Sequence, residues 1–533
     1  MTSKSVKKSH RYNHNSQNNL SQSDSSDRVS FKDWVGVITA SLAAFMAVYA
    51  LTGSAPIVTH VGGVLGVPLP IGAWVIYAYV IAQTIAVPIV GFLAKTFSLR
   101  RYFLISTCLF VFSAAICAFA IDMPMMLVGR ILQGFAGGGF VAMSMMIINS
   151  KLPESKRNIG LTMQSMSLAL APGFAPAIAG WITYNFSWQY VFYIIIFVGI
   201  FIFAGAFYSL ESEPMQLGAF GKLDGLGLAL FVVGYSATQY LIQDGNLKNW
   251  FTDENMVYCF IIGTVCGLLF LAVEFNSRKP LLNLRLFRRS NFAMSMLVTF
   301  LFGFGQGESL IIIVFYIIPI FSYNSLEIGE TVALYGLPQA ITTPLVPKLM
   351  EHFDKRLLVS IGLIGFAIGF WMTVTMTHQT SMYQLAPSLI VRGLSLPLIT
   401  APLSSLVTAQ VEQKDSKDAS VLYNVVLFTG MTAGIAFLKE FQPRRSQFHS
   451  SHINEAVSLY SPITRERIDT LTQYFLSHGG SSELARKRAI NFISGIIERE
   501  SSVLGFADTY YVVGWVLLIT AGLVFLVRKP RSR

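Results

Sequence analysis

Charge is what this sequence has least of. Only 13% of its 533 residues are Asp, Glu, Lys or Arg, against about 25% in a soluble domain. A water-soluble chain of this length would cover its surface with charge, so a chain that is 53% hydrophobic needs lipid as its solvent. Cysteine is scarce as well. Cys108, Cys117, Cys259 and Cys266 lie inside apolar runs without Cys-x-x-Cys or ligand-like spacing, and they read as small core residues. There is no G-x-x-x-x-G-K-[ST] loop for nucleotide, no HExxH and no GxSxG. ATP hydrolysis and the common membrane-enzyme chemistries therefore have no visible site, no cofactor or metal is implied, and the chain is not expected to be an enzyme. Residues 1–33 begin with a Ser/Asn/His/Lys-rich stretch lacking an apolar h-region, which predicts a disordered cytoplasmic tail rather than a cleaved signal. His10 and His14 in that tail are discounted as metal ligands.

Long apolar runs are abundant. Windows that can cross about 30 Å of hydrocarbon recur near 34–56, 72–94, 102–121, 124–149, 160–183, 187–209, 224–243 and 255–275. Six more follow near 292–320, 327–350, 357–377, 383–407, 418–440 and 508–528, with 292–320 and 327–350 the least cleanly bounded. The net charge of +11 sits in clusters between these runs, not in a nucleic-acid-binding patch. Alternate connections carry Lys95/Arg100/Arg101, Lys151/Lys156/Arg157, Arg278/Lys279/Arg285/Arg288/Arg289, Lys355/Arg356 and Lys414/Lys417. The positive-inside rule then places both termini in the cytoplasm of a multi-pass inner-membrane protein. Residues 442–507 are too polar to span; helical spacing at 464–477 and 482–500 predicts a small helical cap on the outer face.

Several segments in order carry a resemblance. These are Leu127-Val-Gly-Arg130-Ile-Leu-Gln133-Gly134, Ala171-Pro172-Gly-Phe-Ala175-Pro176-Ala-Ile-Ala179-Gly180-Trp181 with Ser187-Trp188, Gln243-Asp244-Gly245 before Trp250, Pro280–Phe287, Arg392-Gly393 and Ala419–Asn424. From residue 34 onward the chain resembles the fourteen-helix drug:proton antiporters of the major facilitator superfamily, the multidrug-resistance protein B type. The resemblance implies an all-α integral membrane fold of two six-helix bundles, 34–209 and 292–533, with two inserted helices within 210–291. It also implies alternating access by rocking of the halves. Departures stand beside it. The first window lacks an acid, and where the family has G-x-L-A-D-R-x-G-R-R this chain has Gly91-Phe-Leu-Ala-Lys95-Thr-Phe-Ser98-Leu-Arg100-Arg101. Those residues are the candidate cytoplasmic gating loop.

Charges inside spans are costly, so each requires a reason. Arg130, Glu308 and Arg392 are the candidates for proton coupling or gating; snorkelling, a Glu308–Arg392 pair, or a helix end at the membrane face are the alternatives. Tyr49, Tyr77, Gln83, Gln133, Gln164, Gln306 and Asn424 are cavity-lining candidates, with helix-to-helix hydrogen bonding as the alternative. Ala171, Ala175 and Ala179 form one stripe of the fifth window, and Pro172, Pro176 and Gly180 the next. The leading expectation is proton-driven efflux of an amphipathic small molecule such as a drug, siderophore or metabolite. Uptake or facilitated movement of a specific solute, and a non-transporting scaffold or sensor, are the alternatives. The excess of deep positive charge favours neutral or anionic substrates. Loop 442–507 is a candidate contact for a periplasmic adaptor, with a lid as the alternative.

Overall fold

The computed structural model describes residues 29–216, 218, 224–277, 280–312, 320, 323–458, 460–479 and 481–528, with the side chains of 308–312 and 414 excluded. The expected tail therefore lies outside the described residues up to residue 28. All regular structure described is helical. α1 (Phe31–Thr52) opens on a capping box between Ser30 and Asp33 and is followed by the short α2 (Val58–Val64). Then come α3 (Trp74–Phe97) and α4 (Leu99–Ala118). The window at 124–149 is α5 (Met123–Gly137) and α6 (Phe140–Lys151), interrupted at Gly138-Gly139. α7 (Glu154–Asn185) and α8 (Gln189–Ser209) complete one body.

Next are α9 (Gly225–Asp244) and α10 (Glu254–Asn276). A second body follows with α11 (Ser290–Ile312), α12 (Ser325–Gly336), α13 (Val346–His352), α14 (Lys355–Met372) and α15 (Met382–Thr408). It ends with α16 (Ser416–Ala456), α17 (Pro462–Ser477) and α18 (Ser482–Leu523). Among the described residues, 12 helices are long and apolar enough to cross a membrane. The two windows outside that count are the poorly bounded ones. The 292–320 window holds α11, which runs up to residues outside the description. The 327–350 window is broken into α12, a turn and α13 around Pro338, Pro344 and Pro347, because proline supplies no N–H and clashes with the preceding turn.

The helices of 31–209 pack among themselves, as do α11, α12, α14, α15, α16 and α18. α10 leans on α9, and with only 17% of its apolar window buried it turns the rest to lipid. α9 itself lies against both α3 and α16. One expectation needs correcting. Residues 442–507 are not a loop set apart from the spans. α16, 41 residues in all, continues past its apolar part through Pro443 to Ala456, and α18 runs 42 residues from the cap into the membrane. Polarity ends a span but not a helix: the chain leaves the hydrocarbon while its backbone bonds continue. α17 closes the cap against α18. The end of the bundle carrying this extension is the cap end; the opposite end carries the clustered Lys and Arg and is the basic end.

The bodies meet most closely along α7 and α12. A Cβ at Gly336 would overlap the Gly173 backbone, and one at Gly180 would overlap the Ser325 carbonyl. Small residues allow such approach where lipid gives helices no hydrophobic drive to associate. Gly336→Ala should therefore force this seam apart and lower thermal stability by roughly 1–3 kcal/mol, measured as an earlier unfolding transition of the purified protein in detergent.

Candidate functional site

The two helices before and after each approach build the environment of the buried arginines. Gly134 on α5 lets the α3 backbone come so close that a Cβ there would overlap the Tyr79 carbonyl. Arg130, one turn earlier on α5, is 0% exposed. Its Nε donates to the Val75 carbonyl of α3 at 2.6 Å, its Nη1 donates to Gln133 Oε1 at 2.6 Å, and its guanidinium lies 4.6 Å from the centre of the Tyr79 ring. Its Nη2 finds no acceptor among the described residues. Among the described residues the charge is met by a carbonyl dipole, an amide and a π face, with no carboxylate bonded to it.

The second body repeats the device. A Cβ at Gly393 on α15 would overlap the Tyr335 carbonyl of α12. The neighbouring Arg392 is 2% exposed, donates to Ser388 Oγ at 3.2 Å and stacks 4.8 Å from the Phe370 ring centre. The Glu308 backbone lies in α11, while its side chain is outside the described residues. Both arginines are thus sealed between helices. The expected leaning toward neutral or anionic substrates over cations rested on those two charges counting toward the cavity; both are buried, at 0 and 2% exposure, in this conformation.

The polar candidates separate by position. Gln164 donates to the Val141 carbonyl at 2.9 Å and to Ser144 Oγ, tying α7 to α6. Gln133 serves Arg130; Tyr49, Tyr77 and Gln83 are buried. Asn424 bonds within its own helix to the Ser420 carbonyl at 2.9 Å, and Gln306 is half-buried. On α7, Ala171, Ala175 and Ala179 are fully buried, and Ala175 and Ala179 border Gly53 at the end of α1. Pro172, Pro176 and Gly180 lie along the α12 seam. Farther along the same helix toward the basic end, Asn158, Ile159, Thr162, Met163, Met166 and Ser167 flank a wide-open hollow of about 510 Å³ on one face of the helix. This wall is apolar with two hydroxyls and one amide, suited to an amphipathic guest.

At the basic end, Lys151 joins Asp33 (3.3 Å) and Glu211 (3.2 Å). Its hydrogen bond and charge, with the charge of Lys32, hold the Glu211 carboxyl below its usual range. In the candidate gating loop, Gly91 and Lys95 are exposed. Arg100 donates to the Phe207 carbonyl at 3.0 Å and covers its ring, while Arg101 N–H weakly caps on Ser98 Oγ at 3.5 Å. The second body has an equivalent loop that the sequence reading passed over: Asp354 pairs with Arg356 at 2.9 Å, and Arg356 Nη1 donates to the Val527 carbonyl at 3.1 Å. Asp-Lys-Arg opening a span was the available signal.

Asp244 at the end of α9, quoted above as part of the Gln243-Asp244-Gly245 segment but given no site role, is only 7% exposed. It accepts the Trp74 indole N–H at 2.9 Å and lies 3.8 Å from Lys439 Nζ of α16. Direct bonds and ring contacts between the bodies, including Ser325 Oγ to the Pro56 carbonyl at 3.1 Å and Lys439 over Tyr77 at 5.0 Å, lie toward the cap end.

Residues 40–437 match the family model of the Major Facilitator Superfamily. The chain is similar to the multidrug export protein EmrB of Haemophilus influenzae, 27% identical over 82% of this chain and 86% of that protein. It is similar to the colistin resistance protein EmrB of Acinetobacter baumannii at 28% identity over 86% of this chain and 89% of that one. Among solved structures, a bacterial homologue of the human drug peptide transporters PepT1 and PepT2 shares the fold, with TM-score 0.61 at 13% identity over 93% of this chain and 98% of the other.

Two outcomes follow from the local geometry. Ser98 sits at φ 73° and ψ 149°, where an L side chain is strained and glycine is not; Ser98→Gly should raise stability by about 1 kcal/mol, less the lost cap, seen as a higher melting temperature. Arg130→Lys cannot bond Val75 and Gln133 in the same fork and should cost about 2 kcal/mol, seen in the same melting assay.

Proposed function

The chain belongs to the major facilitator superfamily, and on that premise we propose that it is a secondary active exporter of amphipathic small molecules driven by a proton gradient. The observation that carries this reading is an asymmetry along α7. Glycine contacts between α7 and α12 close the cap end, while the face of α7 that continues this seam borders an open hollow toward the basic end. A carrier that exposes its guest site to one side at a time has this form. With the Lys/Arg-rich connections in the cytoplasm of the inner membrane, the conformation is inward-facing and ready to load from the cytoplasm.

The similarity to proteins named for multidrug export and colistin resistance supports outward movement of drug-like molecules. The apolar, sparsely hydroxylated wall of that hollow supports neutral, amphipathic guests over strongly charged ones. The helices projecting at the cap end offer a periplasmic adaptor a docking surface. Lys95 where the family has Asp, and the acid-free first span, favour a second reading in which solute equilibrates without proton coupling.

Inside-out vesicles carrying the full chain separate the two readings. Accumulation of a fluorescent amphipathic substrate that collapses when the proton gradient is dissipated is the expected result. Equilibration insensitive to the gradient would establish facilitated movement instead.

A further inference from the structure

Two seams join the bodies, and they are built differently. Along α7–α12 the backbones touch directly through Gly173, Gly180, Gly329 and Gly336. Along α3–α16 the inserted α9 takes part, presenting a polar stripe to the space between them. Tyr235, Gln239 and Gln243 recur at four-residue spacing on one helical face, with Asp244 beside the last. Gln239 and Gln243 are 2% and 1% exposed. The Tyr235 hydroxyl lies among Thr84 of α3 and Thr429 and Thr432 of α16. A polar stripe so deeply buried is expensive in a helix surrounded by lipid, unless it holds neighbours in place.

The stripe is gripped unequally. Toward α16, Gln243 Nε2 donates to the Thr432 carbonyl at 3.1 Å, the Asn246 amide donates to the Lys439 carbonyl at 3.0 Å, and Trp250 Nε1 donates to Glu440 Oε2 at 3.3 Å. Lys439 Nζ also donates to the Gln243 carbonyl, placing a cation on the last turn of α9, where the helix dipole favours it. Toward α3 the hold is the Trp74–Asp244 bond, the Trp74–Tyr240 ring contact at 5.6 Å and the Tyr77 ring beneath Lys439. α9 and the turn after it are fastened to the second body by several bonds, whereas α9 meets the first through Tyr235 beside Thr84, the Trp74–Tyr240 ring contact and a single charged group, Asp244 bonded to Trp74.

We propose that the inserted helix α9 moves with the second body and that the Asp244–Lys439 node, clasping Trp74 and Tyr77, is the releasable latch of the cap end. Asp244 and Lys439 are then positioning residues of the transport cycle. The inference rests on the alternating-access reading. Its energetic logic is that of a buried ion pair. Removing one partner leaves the other charge unpaired and drives the node toward water, whereas removing both relieves that cost.

The test reads conformation without requiring transport. Spin labels are placed at Val64→Cys, on the exposed face of α2, and Ser451→Cys, on the exposed cap portion of α16, in the full chain freed of its own cysteines. Pulsed dipolar spectroscopy in lipid nanodiscs then measures the separation of the bodies at the cap end. Asp244→Asn and Lys439→Met should each raise the ratio of long to short distances by roughly tenfold. Trp74→Phe, which keeps the ring but loses the indole donor, should raise it less. The double variant Asp244→Asn/Lys439→Met should open no further than the more open single, because both changes act through one node. Distances unchanged in the single variants would overturn the latch, as would single effects that simply add in the double variant. Export that persists with unmoved distances would sink the latch and leave the exporter reading intact. Shifted distances in a chain that moves no substrate would do the reverse.

Discussion

Helices in a bilayer gain nothing by hiding apolar faces from one another, because lipid already solvates them. What holds this molecule together is therefore close backbone approach where a side chain is missing, and polar bonding where water is absent. The glycines of α5, α7, α12 and α15 serve the first need, and the rest of the arrangement depends on it. Gly134 and Gly393 bring Tyr79 and Tyr335 near enough for a guanidinium to be closed in beside each. The four-glycine α7–α12 contact brings the backbones of the two bodies together.

The same constraint explains why much of the fold was legible in the sequence. Bilayer length shows directly in apolar run length, so the spans stand out, and the ill-defined window at 327–350 is the one where prolines divide α12 from α13. The continuation of α16 and α18 beyond the bilayer was less legible. A drop in hydropathy marks where lipid ends, and nothing in it reports that helical hydrogen bonding goes on.

The candidate site was legible only in part. Arg130 and Arg392 stood out because a charge in an apolar run is costly, but what meets that cost is a carbonyl 55 residues away in sequence, at Val75, and aromatic rings on neighbouring helices. Such partners leave no local pattern. Asp244 was noticed only as part of the Gln243-Asp244-Gly245 segment, for the opposite reason. Just past the end of the 224–243 window, before Gly245 and a polar turn, it looks like an ordinary helix terminus; only the folding of α3 and α16 around it makes it a buried charge. The halves' shared Tyr–Gly–Arg arrangement is likewise invisible in spacing, since Arg130 precedes its glycine by four residues and Arg392 precedes its own by one.

The unbroken run of α16 from the bilayer into the cap has a mechanical consequence. A rigid rod that pivots within the membrane multiplies angle into distance at its tip. The segment beyond residue 440 is about 24 Å long at the helical rise per residue, so a tilt of roughly 20° would sweep its far end through about 8 Å. α18 projects beside it and is braced by α17. Whatever touches the cap from outside would feel each transport cycle as a stroke, and a load placed there would push back on the helices that surround the cargo.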